Sequence, residues 1–410
     1  MTGIFAGARV GAGKKNVPRT GLMGCGPFRP AAVTGITGTI SSIRSGKWSE
    51  LATWGGKIPA MTDTPVISAG HTIVYDMERA TVAGVNISSG GTLSFDNERS
   101  ATLQSTANVV VEGKLKMQPG TADVIQTLRF TDVEEDKFVG GGLNVLANDV
   151  GLWVMGVGQL ELKGVAKTSW TRAVDGIAAG AATIMVEEAE GWLPADEISI
   201  APTASPATGP AFSSGFDERV IRQIASTVIT LNNGVSRAHP IVNNEWTAEV
   251  MNLTRNVRIE GTASGRAHLF IRSTKTQIIQ FVAIRYMGPR KDKNGDGIKE
   301  LVAGRYGLHF HYCMDGSRGS IVEGNVIRDT GNHSYVPHVS HGVKLIDNIA
   351  YDVLETAFWW DPGDPTHDVL YDHNIVAGCQ FVRGSLNMNA ENAPTFSSSG
   401  FGLNSGDGNT

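Results

Sequence analysis

Four short segments of this chain repeat one pattern, an asparagine leading into mostly β-branched residues: Asn256-Val257-Arg258-Ile259, Asn325-Val326-Ile327-Arg328, Asn348-Ile349-Ala350-Tyr351 and Asn374-Ile375-Val376-Ala377. The last three begin at 325, 348 and 374, a period of 23 and then 26 residues. Repetition at that interval in a strand-forming background predicts stacked coils, each too small to bury its own apolar face. An asparagine at the same corner of successive coils can bond its neighbours above and below, so the four are expected to form a ladder. A sandwich with chance repetition is the competing arrangement.

Upstream, strand-sized runs recur with turn residues between them. Examples are Thr64–Ser68, His71–Tyr75, Gly84–Ile87, Gly91–Phe95, Val109–Val111, Leu152–Met155, Gln159–Leu162, Ala182–Val186 and Glu197–Ile200. With 50 glycines in 410 residues, only 18% charged residues and no long helical pattern, the chain reads as all-β and turn-rich. The formal net charge of −5 excludes a general nucleic-acid binder, which needs a basic face. Three scattered cysteines (Cys25, Cys313, Cys379) make no disulfide framework. No apolar run is long enough for a transmembrane segment. Gly11-Ala12-Gly13-Lys14 fails as a phosphate loop, because Lys15 stands where Ser or Thr is needed. Residues 1–43 read as a flexible arm without a visible signal peptide. The polar Gly/Ser/Asn tail offers no cap for a stack of coils, which suggests a fragment of a longer chain.

Seven of the ten histidines lie between positions 309 and 373. Imidazole moves protons near neutral pH and is the commonest metal ligand, so this window is the expected site. Leu308-His309-Phe310-His311-Tyr312-Cys313 reads as a strand with Leu308, Phe310 and Tyr312 on one face and His309, His311 and Cys313 on the other. The histidines would then serve as acid/base groups or share a transition metal such as Zn2+. His338 and His341, three residues apart in an expected loop, are predicted to complete the site, with Arg305 holding an anionic or hydroxyl-rich sugar. Trp359-Trp360-Asp361-Pro362-Gly363-Asp364 pairs aromatic faces with carboxylates. Trp359, Trp360 and Asp364 are therefore candidate sugar-binding residues, and Asp361 a candidate catalytic carboxylate. Asp292, Asn294 and Asp296, with Gly297 at the turn and Glu300 at the ninth position, have the spacing of a Ca2+ loop, although Ala303 stands where an EF-hand has its last glutamate.

Several segments together resemble a known family. Gly46-Lys47-Trp48-Ser49, then Ala52-Thr53-Trp54-Gly55-Gly56-Lys57-Ile58-Pro59 and Val66-Ile67-Ser68-Ala69-Gly70-His71-Thr72-Ile73, resemble the opening of the eight-glycine (G-eight) domain. That module occurs in the fibrocystin and cell-migration-inducing hyaluronidase group. Gln159–Gly164, Ser169–Thr171 and Asp196–Thr203 resemble the segment that follows it there, and Leu253–Val257 and Gly304–His311 the β-helix after that. The resemblance covers about 44–390 in the same order. It implies an eight-glycine β module at 44–165, a connecting β segment at 166–250 and a right-handed parallel β-helix at 251–410. It also implies a secreted or cell-surface protein with a polysaccharide as its partner. The expected function is a glycan depolymerase, hyaluronidase-like or a related acidic-glycan hydrolase or lyase. The alternatives are a non-catalytic carbohydrate-binding or adhesive module and a structural attachment fibre.

Overall fold

The fold is taken from a computed structural model, which describes residues 37–203, 215–360, 364–380, 399–403 and 406–410. Most of the expected flexible arm and the predicted catalytic Asp361 lie outside the described residues. Apart from single 3-10 turns such as Glu135–Lys137, the described residues are strand and turn.

Three parallel sheets of 10, 9 and 8 strands run the length of the molecule. Each coil contributes one strand to each sheet, so sequence neighbours lie in different sheets and ladder neighbours lie one coil apart. The eight-glycine region and the later repeats share these sheets. Val109–Val111 pairs with Leu152–Gly156, which pairs with Leu269–Ser273 and then Leu308–Met314. The chain is therefore one β-helix from Ile40 onward, as the period demanded, and not a sandwich. Inward residues of every coil, among them Ile67, Leu93, Leu115, Leu160, Ile279 and Val322, form one continuous apolar core.

Glycines at the corners have steric work. Gly91, Gly113 and Gly158 follow strands of successive coils, and a Cβ at Gly113 would stand 2.2 Å from the Gly91 carbonyl oxygen. At the first coil Trp48 packs edge-on to Trp54 at 5.0 Å and to Tyr75 at 5.3 Å. The Trp54 indole N–H donates to the Trp48 carbonyl at 2.9 Å. This aromatic plug covers the apolar end that an open coil would expose to water.

The asparagine ladder forms over three rungs. Asn325 Nδ2 donates to Asn348 Oδ1 at 2.9 Å, and Asn348 Nδ2 donates to Asn374 Oδ1 at 2.9 Å. Each rung follows a residue in the left-handed region, Gly324, Asp347 and His373, with φ of 62°, 52° and 52°. Asn256 is not a rung. Val257 pairs with Val282 and Ala283 with Val326, so Val257 and not Asn256 stands in line with Asn325, and Asn256 instead donates to the Thr121 and Val124 carbonyls. Asn348→Ala should cost about 2–4 kcal/mol, because it strands the buried backbone N–H and side-chain amide of Asn325. Asn374→Ala, at the half-exposed last rung, should cost less than half as much in the same denaturant titration.

Two excursions leave the helix. Residues between Lys163 and Val257 build a six-stranded antiparallel sheet with its own core of Ile184, Ile198, Ile200, Ile221, Ile229 and Val250. Strands Arg290–Asp292 and Lys299–Leu301 form a hairpin just before the strand that carries His309 and His311.

Candidate metal centre on the β-helix wall

Strand Leu308–Met314 turns Leu308 and Phe310 into the core, which sends His309 and His311 to the outer face. The alternation then breaks. Tyr312 has φ of 51° and the pairing shifts between His311 and Met314. Cys313 therefore drops into the core and Tyr312 turns outward, the reverse of the simple alternation. His338 lies on the next coil, in strand Tyr335–Ser340 and not in a loop, and its register partner is His311.

The three imidazoles converge. His309 Nε2 lies 3.0 Å from His311 Nδ1, which lies 3.1 Å from His338 Nδ1. One nitrogen from each of the three falls within 4.8 Å of the others. The outer nitrogens are committed elsewhere. His309 Nδ1 faces the Gly304 carbonyl at 3.0 Å, and His338 Nε2 faces Asp364 Oδ2 at 2.9 Å. A carbonyl or carboxylate can only accept, so both outer nitrogens carry a proton, and in the neutral form of each ring the inner nitrogen presents a lone pair. His311 Nδ1 can donate to only one of them, which leaves lone pairs facing each other. A cation at the centre resolves that conflict. Tetrahedral zinc with imidazole nitrogens at about 2.0–2.1 Å would separate those nitrogens by about 3.3 Å, against 3.0 and 3.1 Å for the two pairs that His311 Nδ1 makes. An outer carbonyl or carboxylate on each fixed imidazole is also how metal-bound histidines are oriented. Tyr312 donates its hydroxyl to the same Asp364 oxygen at 3.0 Å and steadies it.

Burial pushes the His309 imidazole well below its usual value, helped by His311 and His338. Burial, with His338 and Arg305, brings His311 down to about 2. Phe270 packs edge-on to His309 at 5.4 Å and Tyr306 covers it at 4.5 Å. The trio opens on a recess of about 210 Å³ walled by Gly141, Gly142, Tyr306, His333 and Trp359.

The remaining candidates are distributed differently. Arg305 does not face this recess as a free cation. Its guanidinium is wholly buried, bonded through Nε to Asp149 at 2.7 Å and through Nη2 to the Gly141 carbonyl at 2.7 Å, over the Trp153 ring. Asp149 also accepts from the Val139 and Gly140 amides, so the pair staples the loop beside the recess to the start of the histidine strand. His341 does not join the trio. It packs against His367 at 4.9 Å and accepts the His367 backbone N–H. Trp359 lines the recess, whereas Trp360 is 1% exposed and lies over Tyr371, out of reach of a sugar. Asp364 touches His338 and Tyr312 and acts as an orienting carboxylate.

In the predicted Ca2+ loop, Asp292 accepts four backbone N–H groups, from Asn294, Gly295, Asp296 and Gly297. Asp296 accepts from the Ile298 amide, while Glu300 meets Lys293 and Asn294. Among the described residues, the histidine trio is the cluster of His, Cys, Asp or Glu side chains close enough to hold an ion.

His333 was not singled out as a site residue by sequence reasoning, because the carbonyl that fixes it, Thr356, belongs to the following coil. Burial brings its imidazole down to about 4, and burial with the nearby Arg305 charge keeps that of His268 well below its usual value. Both stay neutral in the fold while the unfolded chain protonates near pH 6.5. Stability should therefore be insensitive to these groups above pH 6.5. Below it, each should cost about 1.4 kcal/mol per pH unit until its folded value is reached. Denaturant titrations of the chelator-treated chain between pH 6 and 4.5 should show a shallower loss for His333→Phe, by one proton's worth.

Comparison with known proteins follows this geometry. Residues 53–173 match the G8 domain and residues 267–401 the CEMIP β-helix. The chain is 26% identical over 402 residues to human Fibrocystin-L, covering 83% of this chain and 9% of that protein. To human cell surface hyaluronidase CEMIP2 it is 26% identical over 151 residues, 31% of this chain and 10% of that one. The chain thus spans about a tenth of the length of these relatives. The Gp54 tailspike of Acinetobacter baumannii bacteriophage AP22, solved with a capsular saccharide, overlays with a TM-score of 0.20 at 8% identity, covering 68% of this chain and 48% of that one, too slight a likeness to bear on function. The chain is thus similar, over two separate stretches and in this order, to the G8 domain and to the CEMIP β-helix.

Proposed function

We propose that this chain is the polysaccharide-active part of a secreted or cell-surface protein, a glycan depolymerase whose centre is a metal held by His309, His311 and His338. The observation that carries the reading is the convergence of three imidazole nitrogens, two of them on rings whose outer nitrogens are already fixed. Similarity to a protein named as a cell surface hyaluronidase supports a glycan as the partner. A zinc ion held there would supply a Lewis acid to an oxygen of the bound chain. The chain's own residues do the rest. Gly304 and Asp364 hold two imidazoles in one tautomer, and Trp359 and Tyr306 give the recess an apolar wall suited to the CH face of a sugar.

Incubation of the 410-residue chain with a panel of acidic and neutral polysaccharides should shorten at least one of them. A chelator should stop the reaction and added zinc restore it. Binding without any loss of chain length would assign the same surface to a non-catalytic carbohydrate-binding module. Cleavage indifferent to chelator would remove the metal from the reading.

A further inference from the structure

One group in the recess has its bonding left incomplete by the protein. His333 is 2% exposed, and its Nδ1–H donates to the Thr356 carbonyl at 2.8 Å. That bond fixes the tautomer and leaves the lone pair on Nε2, a buried nitrogen without a protein partner. The ring cannot turn to find one. Trp359 is stacked on it at 4.0 Å and 10°, Tyr306 meets it edge-on at 5.2 Å, and Asn332 Oδ1 accepts its backbone N–H. His333 lines the same recess as His309, His311 and His338. A buried acceptor without a donor is costly, and a ligand with a hydrogen to give would recover that cost.

The rest of the lining decides which ligand. Among the described residues, no carboxylate, lysine or arginine lines the recess, and the nearby Arg305 is spent on Asp149. A sugar carboxylate set against Nε2 would meet its lone pair with no side-chain cation among the described lining residues, so that only a metal at the trio could offset its charge. A hydroxyl or amide hydrogen would meet its acceptor. We propose that His333 Nε2 accepts a hydrogen bond from a neutral sugar residue seated in the recess beside the histidine trio, so that the recess selects the neutral member of a polysaccharide repeat. This rests on reading the recess as a glycan site. His333 positions the sugar and is not a metal ligand.

The test uses the full chain, stripped of metal for the binding measurements and loaded with zinc only to compare metal content, and two probes: chitotetraose, entirely neutral N-acetylhexosamine, and tetragalacturonate, entirely uronate. Calorimetry gives affinity, and 15N-histidine spectra report on Nε2. Chitotetraose should shift the His333 Nε2 resonance and bind at least tenfold more tightly than tetragalacturonate. His333→Phe, which keeps a ring against Trp359 without the acceptor, should weaken chitotetraose about tenfold or more. His333→Gln, which restores an acceptor, should return to within a few-fold of the parent. Both variants should keep the parent's zinc content. Unchanged binding by His333→Phe, equal or tighter binding of tetragalacturonate, or no binding of chitotetraose by the parent would overturn the proposal. So would loss of zinc from His333→Phe, which would make His333 part of the metal shell. Cleavage is not read in this experiment, so a failure of the depolymerase reading leaves its result standing.

Discussion

His311→Ala is expected to abolish tight zinc binding while leaving the β-helix intact. His311 Nδ1 is the nitrogen that touches both others, at 3.0 and 3.1 Å, so its removal leaves two imidazoles with nothing between them. The loss should exceed the roughly 10–100-fold that removal of an outer partner costs. Asp364→Ala supplies that milder case, since it frees only the outer nitrogen of His338. His341→Ala should leave zinc affinity unchanged, because that ring packs against His367. The metal-free His311→Ala chain should melt close to the parent, as the lone-pair conflict is relieved in the same step that a buried ring is lost. Competition against a zinc indicator reads all three variants on one scale. A His311→Ala chain that still bound zinc as tightly as the parent would place the ion elsewhere.

Arg305→Met is expected to destabilise the fold by about 3–5 kcal/mol, the cost of leaving a buried charge without its partner. Asp149 and Arg305 are both fully buried, and besides Arg305 the Asp149 carboxylate meets the Val139 and Gly140 amides. The double variant Asp149→Asn/Arg305→Met should recover part of the loss, because no unpaired charge then remains. Chemical denaturation of the four chains gives the coupling directly. Were Arg305 a sugar ligand, the single variant would lose binding with its stability unchanged. The buried pair predicts the opposite order of effects.

The parts of this architecture that repeat locally were legible in the sequence. Asn325, Asn348 and Asn374 stand one coil apart, so their spacing reported both the period and the ladder. His309 and His311 share a strand face at period two, so their convergence also had a local signal. What failed depended on partners far along the chain. Arg305 looked like a free cation because Asp149 lies 156 residues away. Asn256 looked like a rung because nothing near it announces that the register sets Val257, one residue on, in line with Val282 and Asn325. His338 looked like a loop residue because Tyr335–Ser340 contains Pro337 and is buried at every position, which erases the alternation that marks a half-exposed strand. Trp359 and Trp360 are adjacent, and only the strand's orientation assigns one to the recess and the other to a place over Tyr371.

The central claim is that three histidines on one wall of the β-helix hold a transition metal. X-ray absorption at the zinc edge, on the 410-residue chain loaded with one equivalent and dialysed, tests it most directly. The account predicts one zinc per chain, with three imidazole nitrogens at about 2.0–2.1 Å and one lighter oxygen or nitrogen scatterer. It also predicts that this signal is lost when His309, His311 and His338 are all replaced by alanine. A chain that retains no zinc, or retains it in a shell without imidazole, or keeps the same spectrum without the three histidines, would contradict it.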